Sequence, residues 1–321
     1  MLYDTIIIGA GPAGLTASIY ASRYMMNHVV IGKIFGGTIT LAHRVENFPG
    51  FVSISGPELA GKMGEQAKAL GAQILADTVG RIEVAESENG KLFRLFTESG
   101  KRFEAKSLIV TTGTERRKLN VPGEKEYLGR GVSYCTYCDA PFFKGKTVVL
   151  VGGSNAACSG AIHLAEFAAK EYLVYRKDEL RGEAIWVEEI KKNPKIEIVY
   201  NTNVIKILGT KDGSEKVVGV ELDNPYKGEK ELKADGVFVE IGGVPLSSLL
   251  IPIGVKLDEN NYVIVSERME TNIEGIFAAG DFTTQSLILS QTITACADGA
   301  IATASAYKYV KGQKPPKIMG S

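Results

Sequence analysis

The apolar positions of this chain fall into short unbroken runs, each closed by a glycine cluster and followed by residues with helical spacing. Asp4 to Ile8 is a run of the kind buried on both faces of a parallel sheet, and it leads into Gly9-Ala10-Gly11-Pro12-Ala13-Gly14. An apolar-periodic segment then continues to about Tyr24, so the pattern predicts strand, glycine turn and helix. The same order recurs at Thr147 to Val151, with Gly152-Gly153-Ser154-Asn155-Ala156-Ala157 after it and a helix through about Ala169. His28 to Ile31 and Glu171 to Tyr175 are the predicted second strands of the two units. Near the end, Gly275 to Asp281 reads as a buried strand stopped by a glycine and an aspartate, and a helix from about Gln291 to Tyr309 follows. The fold class is α/β, with two dinucleotide-binding, Rossmann-like, three-layer domains.

The glycines have separate tasks. In the first cluster Gly9 makes the tight turn, Gly11 lets the backbone approach a pyrophosphate, and Gly14 lets helix pack on strand. Alone the spacing would equally suit an ordinary glycine turn; its place between strand and helix points to a dinucleotide. An NAD site also wants a carboxylate at the end of the second strand, but Gly32-Lys33 follows Ile31. FAD held through other contacts therefore suits the first loop better. In the second loop Ser154 takes the middle glycine position, where a side chain crowds the phosphate approach. Arg176, Lys177 and Arg181 stand where the 2′-phosphate of NADP would be met; the competing reading is a solvated turn, with Asp178 and Glu179 offsetting the cations.

Composition narrows the partners. A chain of 321 residues exceeds a single core and suits two domains. With 37 basic and 37 acidic residues the net charge is zero, giving no field for nucleic acid or anionic membranes. The N-terminus enters its apolar run without the basic segment of a signal peptide, and no uncharged stretch suits a membrane span, so a cytoplasmic protein is expected. Residues 315–321 read as a loose tail.

The sharpest chemistry lies in Ser133-Tyr134-Cys135-Thr136-Tyr137-Cys138-Asp139. Four cysteines are too few for a disulfide scaffold, and a CxxC in a reducing compartment is catalytic or metal-binding. A structural zinc needs four ligands, yet Cys158 and Cys296 sit alone in apolar patterns and none of His28, His43 and His163 is spaced as a pair. No metal is expected. Cysteines at i and i+3 share a face of a helix starting there, and such a position lowers thiol pKa, so the pair suits disulfide exchange.

With the CxxC placed between two nucleotide loops, the chain resembles the low-molecular-weight thioredoxin reductases of bacteria and archaea over nearly its full length. Further stretches carry the resemblance: Val45-Glu46-Asn47-Phe48-Pro49-Gly50, Thr112-Gly113, Asp178-Glu179-Leu180-Arg181 and Phe277-Ala278-Ala279-Gly280-Asp281. The resemblance implies an FAD-binding domain from residues 1–115 plus 245–321, with an NAD(P)H-binding domain, 116–244, inserted and carrying the CxxC. It implies FAD contacts at Gly9, Gly11, Pro12, Ala13, Gly14, Gly36, Gly37, Thr38, Asn47, Thr112, Gly113, Gly280, Asp281, Gln291 and Thr292. It implies NADPH contacts at Gly152, Gly153, Ser154, Asn155, Ala156, Arg176, Lys177 and Arg181. Ser290 stands where the family has an arginine, after a longer loop, and Tyr175 stands where it has a histidine.

By the same resemblance Cys138 is the sulfur nearer the flavin, Cys135 attacks the protein substrate, and Asp139 gives and takes the proton. The partner implied is thioredoxin or a thioredoxin- or glutaredoxin-like protein, and the assembly a homodimer. Two other readings keep the flavin and dithiol: NADH or reduced ferredoxin as donor, or a redox-sensing flavoprotein without turnover.

Overall fold

The structure is a computed structural model, and it describes residues 1–87, 90–210 and 216–313. The stretch 315–321, read from sequence as a loose tail, lies outside the described residues. Among the described residues the α-helices are α1 (Pro12–Arg23), α2 (Gly56–Ala69), α3 (Thr136–Asp139), α4 (Asn155–Phe167), α5 (Ala184–Lys192) and α6 (Thr292–Lys311). By contact the chain divides into two units, the second formed by Arg116–Gly243 with the short segment Leu41–Arg44, and the first by the rest. The chain passes between them through the strands Thr114–Arg116 and Gly243–Pro245, which pair with each other.

The first unit is built on a five-stranded parallel sheet in the order Ile276–Ala278, Leu108–Val110, Thr5–Ile8, His28–Ile31, Ile74–Leu75. Alternation along the strand decides which layer each residue meets. Ile7, Val30, Ile109 and Phe277 pack with Ala13, Ala17, Ala302 and Ala306 of α1 and α6. Ile6, Ile8, Val29 and Val110 pack on the other face with Ile82, Phe93 and Leu95 of the mixed sheet Leu2–Tyr3, Arg102–Ala105, Gly90–Thr97, Val79–Ser87, in which only the first pairing is parallel. Because both faces are covered, the central strand is fully buried along Thr5–Ile8, and the sequence there reads as a continuous apolar run. The alanines on α1 and α6 allow the two helices to approach closely: a Cβ on Gly299 would lie 2.1 Å from the Ala13 carbonyl oxygen.

The second unit repeats the plan. Its parallel sheet runs Val132–Ser133, Gly236–Val239, Thr147–Val151, Lys170–Val174, Ile196–Val199. Val148, Leu150, Leu173 and Phe238 face α4 and α5 through Leu164, Trp186 and Ile190. Val149, Val151, Val174 and Val237 face the antiparallel strands that carry Ile207, Val220 and Leu232. The architecture is thus α/β with two three-layer, Rossmann-like units, the second inserted in the sequence of the first. Elements fall within a few residues of the sequence reading. The strand expected over 275–281 is shorter, Ile276–Ala278, because Ala279 and Gly280 already turn toward α6; that helix runs on to Lys311 and ends at Gly312, whose φ of 64° closes it.

Candidate functional site

The residues singled out by sequence fall into three constellations: the cradle around the first unit's glycine loop, the second unit's loop, and the turn of the CxxC.

In the cradle, Gly9 has a φ of +117° and a Cβ there would lie 2.2 Å from the Thr111 carbonyl oxygen, so only glycine fits. Gly14 is held as tightly, a Cβ falling 2.0 Å from the Gly9 carbonyl oxygen. Gly11, by contrast, is less crowded, since a Cβ there would meet the Gly37 Cα only at 3.8 Å, and it N-caps α1 without any side-chain cap. The first N–H groups of α1, those of Pro12-Ala13-Gly14 apart from proline, are left for an anion, and backbone can come close to it. Thr111 was not picked out from the sequence; its hydroxyl donates to the carbonyls of Ile8 (3.0 Å) and Gly9 (3.1 Å) and braces the loop. Gly36 and Gly37 lie beside that loop: Gly36 N–H donates to Ala10 O at 2.8 Å, and Thr38 sits in the turn that Thr40 ties to Gly37 O at 2.8 Å. Thr112 Oγ1 donates to Leu246 O at 2.8 Å, and Gly113, with φ +67°, receives the Leu246 N–H.

The far side of the cradle is polar and linked. Gly280 donates its N–H to Asp298 at 3.3 Å. Asp281 has one carboxylate oxygen, Oδ1, buried without a hydrogen-bond partner among the described residues. Burial pushes its carboxyl up, the Ser290 hydroxyl bonded to it pulls the other way, and Asp298 adds a repulsion. Ser290, at the family's arginine position, thus meets Asp281. Gln291 N-caps α6 and shares a capping box with Thr294, and Asn47 Nδ2 donates to Gln291 Oε1 at 3.0 Å. The residues present fit a flavin dinucleotide: uncapped helix N–H groups suit its pyrophosphate, and the orphan Asp281 oxygen suits a sugar-alcohol hydroxyl.

In the second unit, Gly153 lies against the Tyr175 ring, 2.5 Å from where a Cβ would stand. Arg181 N–H donates to Gly153 O at 2.7 Å, and its Nε donates to the Tyr175 hydroxyl at 2.9 Å, so loop, tyrosine and arginine form one assembly. Ser154 N-caps α4 with its hydroxyl making no cap bond. Asn155 is used differently: its Oδ1 accepts the Glu183 N–H at 2.7 Å and fixes the start of α5. Ala156 lies in the first turn of α4, and Arg176 and Lys177 are exposed after the strand. Gly152 has φ +149°, with the Glu240 carbonyl oxygen 2.2 Å from its Cβ position.

Cys135 and Cys138 form a disulfide with Cα atoms 5.3 Å apart. Cys135 N-caps α3, its Sγ accepts the Cys138 N–H at 3.1 Å, and its own N–H donates to Ser133 Oγ at 3.0 Å. Cys138 is exposed and Cys135 half-buried. Both line one cavity with Asp139, Tyr134, Leu128 and Arg116. Tyr134 donates its hydroxyl to Glu124 at 2.7 Å, and burial together with that carboxylate raises its pKa. Cys158 and Cys296 are buried free thiols, Cys158 pushed up to about 11 by burial, which keeps both protonated and inert.

His43, His163 and Glu166 place one potential ligand atom each within 4.8 Å of one another. The two imidazoles, however, stack with centroids 3.8 Å apart and planes at 24°. Nitrogen lone pairs lie in the ring plane, so these run side by side and do not converge on one ion.

Residues 3–304 match the family described as pyridine nucleotide-disulphide oxidoreductase. The thioredoxin reductase of Bacillus subtilis is 42% identical over 312 residues, covering 97% of this chain and 95% of that one. The solved thioredoxin reductase of Lactococcus lactis superposes with a TM-score of 0.90 at 35% identity, covering 97% of this chain and all of that one (100%). That of T. acidophilum gives 0.88 at 37% identity, covering 96% and 98%.

Proposed function

The chain belongs to the pyridine nucleotide-disulphide oxidoreductase family, and on that premise we propose that it is a thioredoxin-disulfide reductase that draws electrons from NADPH and passes them through Cys135 and Cys138 to thioredoxin or a similar small disulfide protein. The observation that carries the reading is the Cys135–Cys138 disulfide opening on a cavity beside a carboxylate, Asp139, in a chain with two dinucleotide loops. In this reading the first unit holds FAD and the second the nicotinamide nucleotide. Bound FAD would supply a two-electron relay between the nicotinamide and the disulfide. Gly11, Ala13 and Gly14 would hold its pyrophosphate, Asp281 a ribityl hydroxyl, and Asn47 with Gln291 the end near α6. A homodimer in the cytoplasm completes the reading.

Once the dithiol is reduced, the steps belong to this chain's own residues. The Cys135 thiolate, stabilised by the Cys138 N–H, attacks one sulfur of the substrate disulfide. The substrate S–S bond breaks, its departing sulfur takes a proton, and Cys135 is left in a mixed disulfide. The Cys138 thiolate then attacks Cys135 Sγ, closing the Cys135–Cys138 bond and releasing the second substrate thiolate. Two electrons have passed to the substrate, and Asp139 moves the protons.

NADPH is favoured over NADH by the Arg181 assembly: with Nε occupied by Tyr175, the guanidinium keeps its terminal nitrogens for a phosphate. Anaerobic stopped-flow bleaching of the flavin tests this. Fast bleaching by NADPH with much slower bleaching by NADH is expected, and bleaching by neither would turn the reading to another donor such as reduced ferredoxin. Steady turnover on a disulfide protein separates an enzyme from a redox sensor.

A further inference from the structure

Glu240 directly follows the strand Gly236–Val239 and is buried, with its side chain 7% exposed. Its carboxylate makes an ion pair with the Arg116 guanidinium and accepts the backbone N–H of Thr136, the first residue of α3. Burial pushes the Glu240 carboxyl up, and Arg116 and the Thr136 N–H oppose that effect. Arg116 is half-buried, belongs to the strand through which the chain passes into the second unit, and lines the cavity of Cys135 and Cys138. One buried carboxylate thus binds both the turn that bears the disulfide and the cation that shares its cavity.

We propose that Arg116 and Glu240 are positioning residues for the dithiol: Arg116 supplies the positive charge that stabilises the thiolate freed when the disulfide opens, and Glu240 aims that guanidinium while partly offsetting it. This rests on the redox reading of Cys135 and Cys138. The physical reason is the sign and place of the charges. A cation that lines the same cavity as a sulfur favours the thiolate, and a neighbouring carboxylate opposes it. Other charged or titratable groups face the turn as well. Asp139 lies on α3 itself, Tyr134 with Glu124 precedes it, and His43, His163 and Glu166 surround Tyr137 from α4 and the 41–44 segment. All of these stay unchanged in variants of Arg116 or Glu240.

The two substitutions have opposite signs. Arg116→Gln removes the cation and leaves the carboxylate, so the thiol should titrate higher; Glu240→Gln removes the anion and leaves Arg116 unopposed, so it should titrate lower. General loosening of the turn would move both the same way. The test is the pH profile of iodoacetamide alkylation of Cys135 and Cys138 in the reduced, flavin-bound full chain, read by peptide mass spectrometry. Arg116→Gln is expected to raise the midpoint by about 1 pH unit, slowing alkylation about tenfold below it. Glu240→Gln is expected to lower the midpoint, and Arg116→Lys to retain the unsubstituted profile. If the unsubstituted protein titrates but both variants coincide with it, or move together, the positioning role is wrong while the redox reading stands. If alkylation of the unsubstituted protein does not depend on pH, both fall.

Discussion

Asn47 donates its Nδ2 to Oε1 of Gln291 at 3.0 Å, across 244 residues of sequence. Gln291 is the N-cap of α6, so this bond ties the 45–54 loop to the helix that packs on α1. If the flavin seat lies here, Asn47→Ala should weaken it by the worth of one hydrogen bond, about 0.5–1.5 kcal/mol or roughly two- to tenfold in affinity. Titration of the apoprotein with FAD, followed by quenching of flavin fluorescence, measures it. Equal affinity in the variant would remove Asn47 from the seat.

The two sulfurs should fail differently. Cys135→Ser is expected to leave flavin reduction by NADPH intact and abolish reduction of thioredoxin. Cys138→Ser should allow Cys135 to attack but not to resolve, trapping a mixed disulfide with the substrate protein. Non-reducing electrophoresis shows that adduct. Its formation by Cys135→Ser instead would reverse the assignment, a live comparison because Cys138 is the more exposed sulfur.

Arg181 and Tyr175 give a graded prediction. If Arg181 meets the 2′-phosphate of NADPH, Arg181→Gln removes a charge-assisted contact worth about 1.5–3 kcal/mol, so the KM for NADPH should rise by about tenfold or more, and that for NADH should stay level. Tyr175→Phe keeps the ring that Gly153 packs on and removes only the hydroxyl bonded to Arg181 Nε. Its effect should be smaller and again confined to NADPH. A matching rise for NADH would mean that the loop, and not phosphate recognition, had been disturbed.

What could be read from sequence was what local backbone geometry demands. Gly9 and Gly14 are legible because nothing larger fits beside Thr111 and Gly9 carbonyls, and the CxxC because its spacing alone closes a ring. Pairs made only by folding were not legible. Thr111 looks like any threonine until it meets Ile8, and Ser290 looks like a lost arginine until its hydroxyl meets Asp281. Glu240 carried a faint signal, a carboxylate directly after the buried run Gly236–Val239, but its partner Arg116 lies on a strand far earlier in the chain. Asn155, named from its place in the second glycine loop, has a further task that the motif does not disclose, since its side chain holds the start of α5.

Asp4 predicts how stability depends on acid. It is 8% exposed, joins the first strands to Lys106 at 3.3 Å and to Lys311, at the end of α6, at 2.9 Å, and accepts the Asn27 N–H at 3.1 Å. Burial alone would push its carboxyl up, but these partners outweigh burial and hold it below the ordinary aspartate value. The folded state therefore binds fewer protons than the unfolded chain in the acid range, so stability rises with pH there. The contribution is complete above the unfolded aspartate pKa of about 3.9 and is lost as pH falls through the folded value. Because both lysines are partly exposed, the gain should be modest, about 1 kcal/mol. Asp4→Asn should lower the melting temperature of the first unit by about 2–4 °C at neutral pH. Calorimetric scans of both proteins at decreasing pH should converge once the pH has fallen through the folded value, where the unsubstituted carboxyl is itself protonated. A gap that persists there would assign the loss to packing and not to charge.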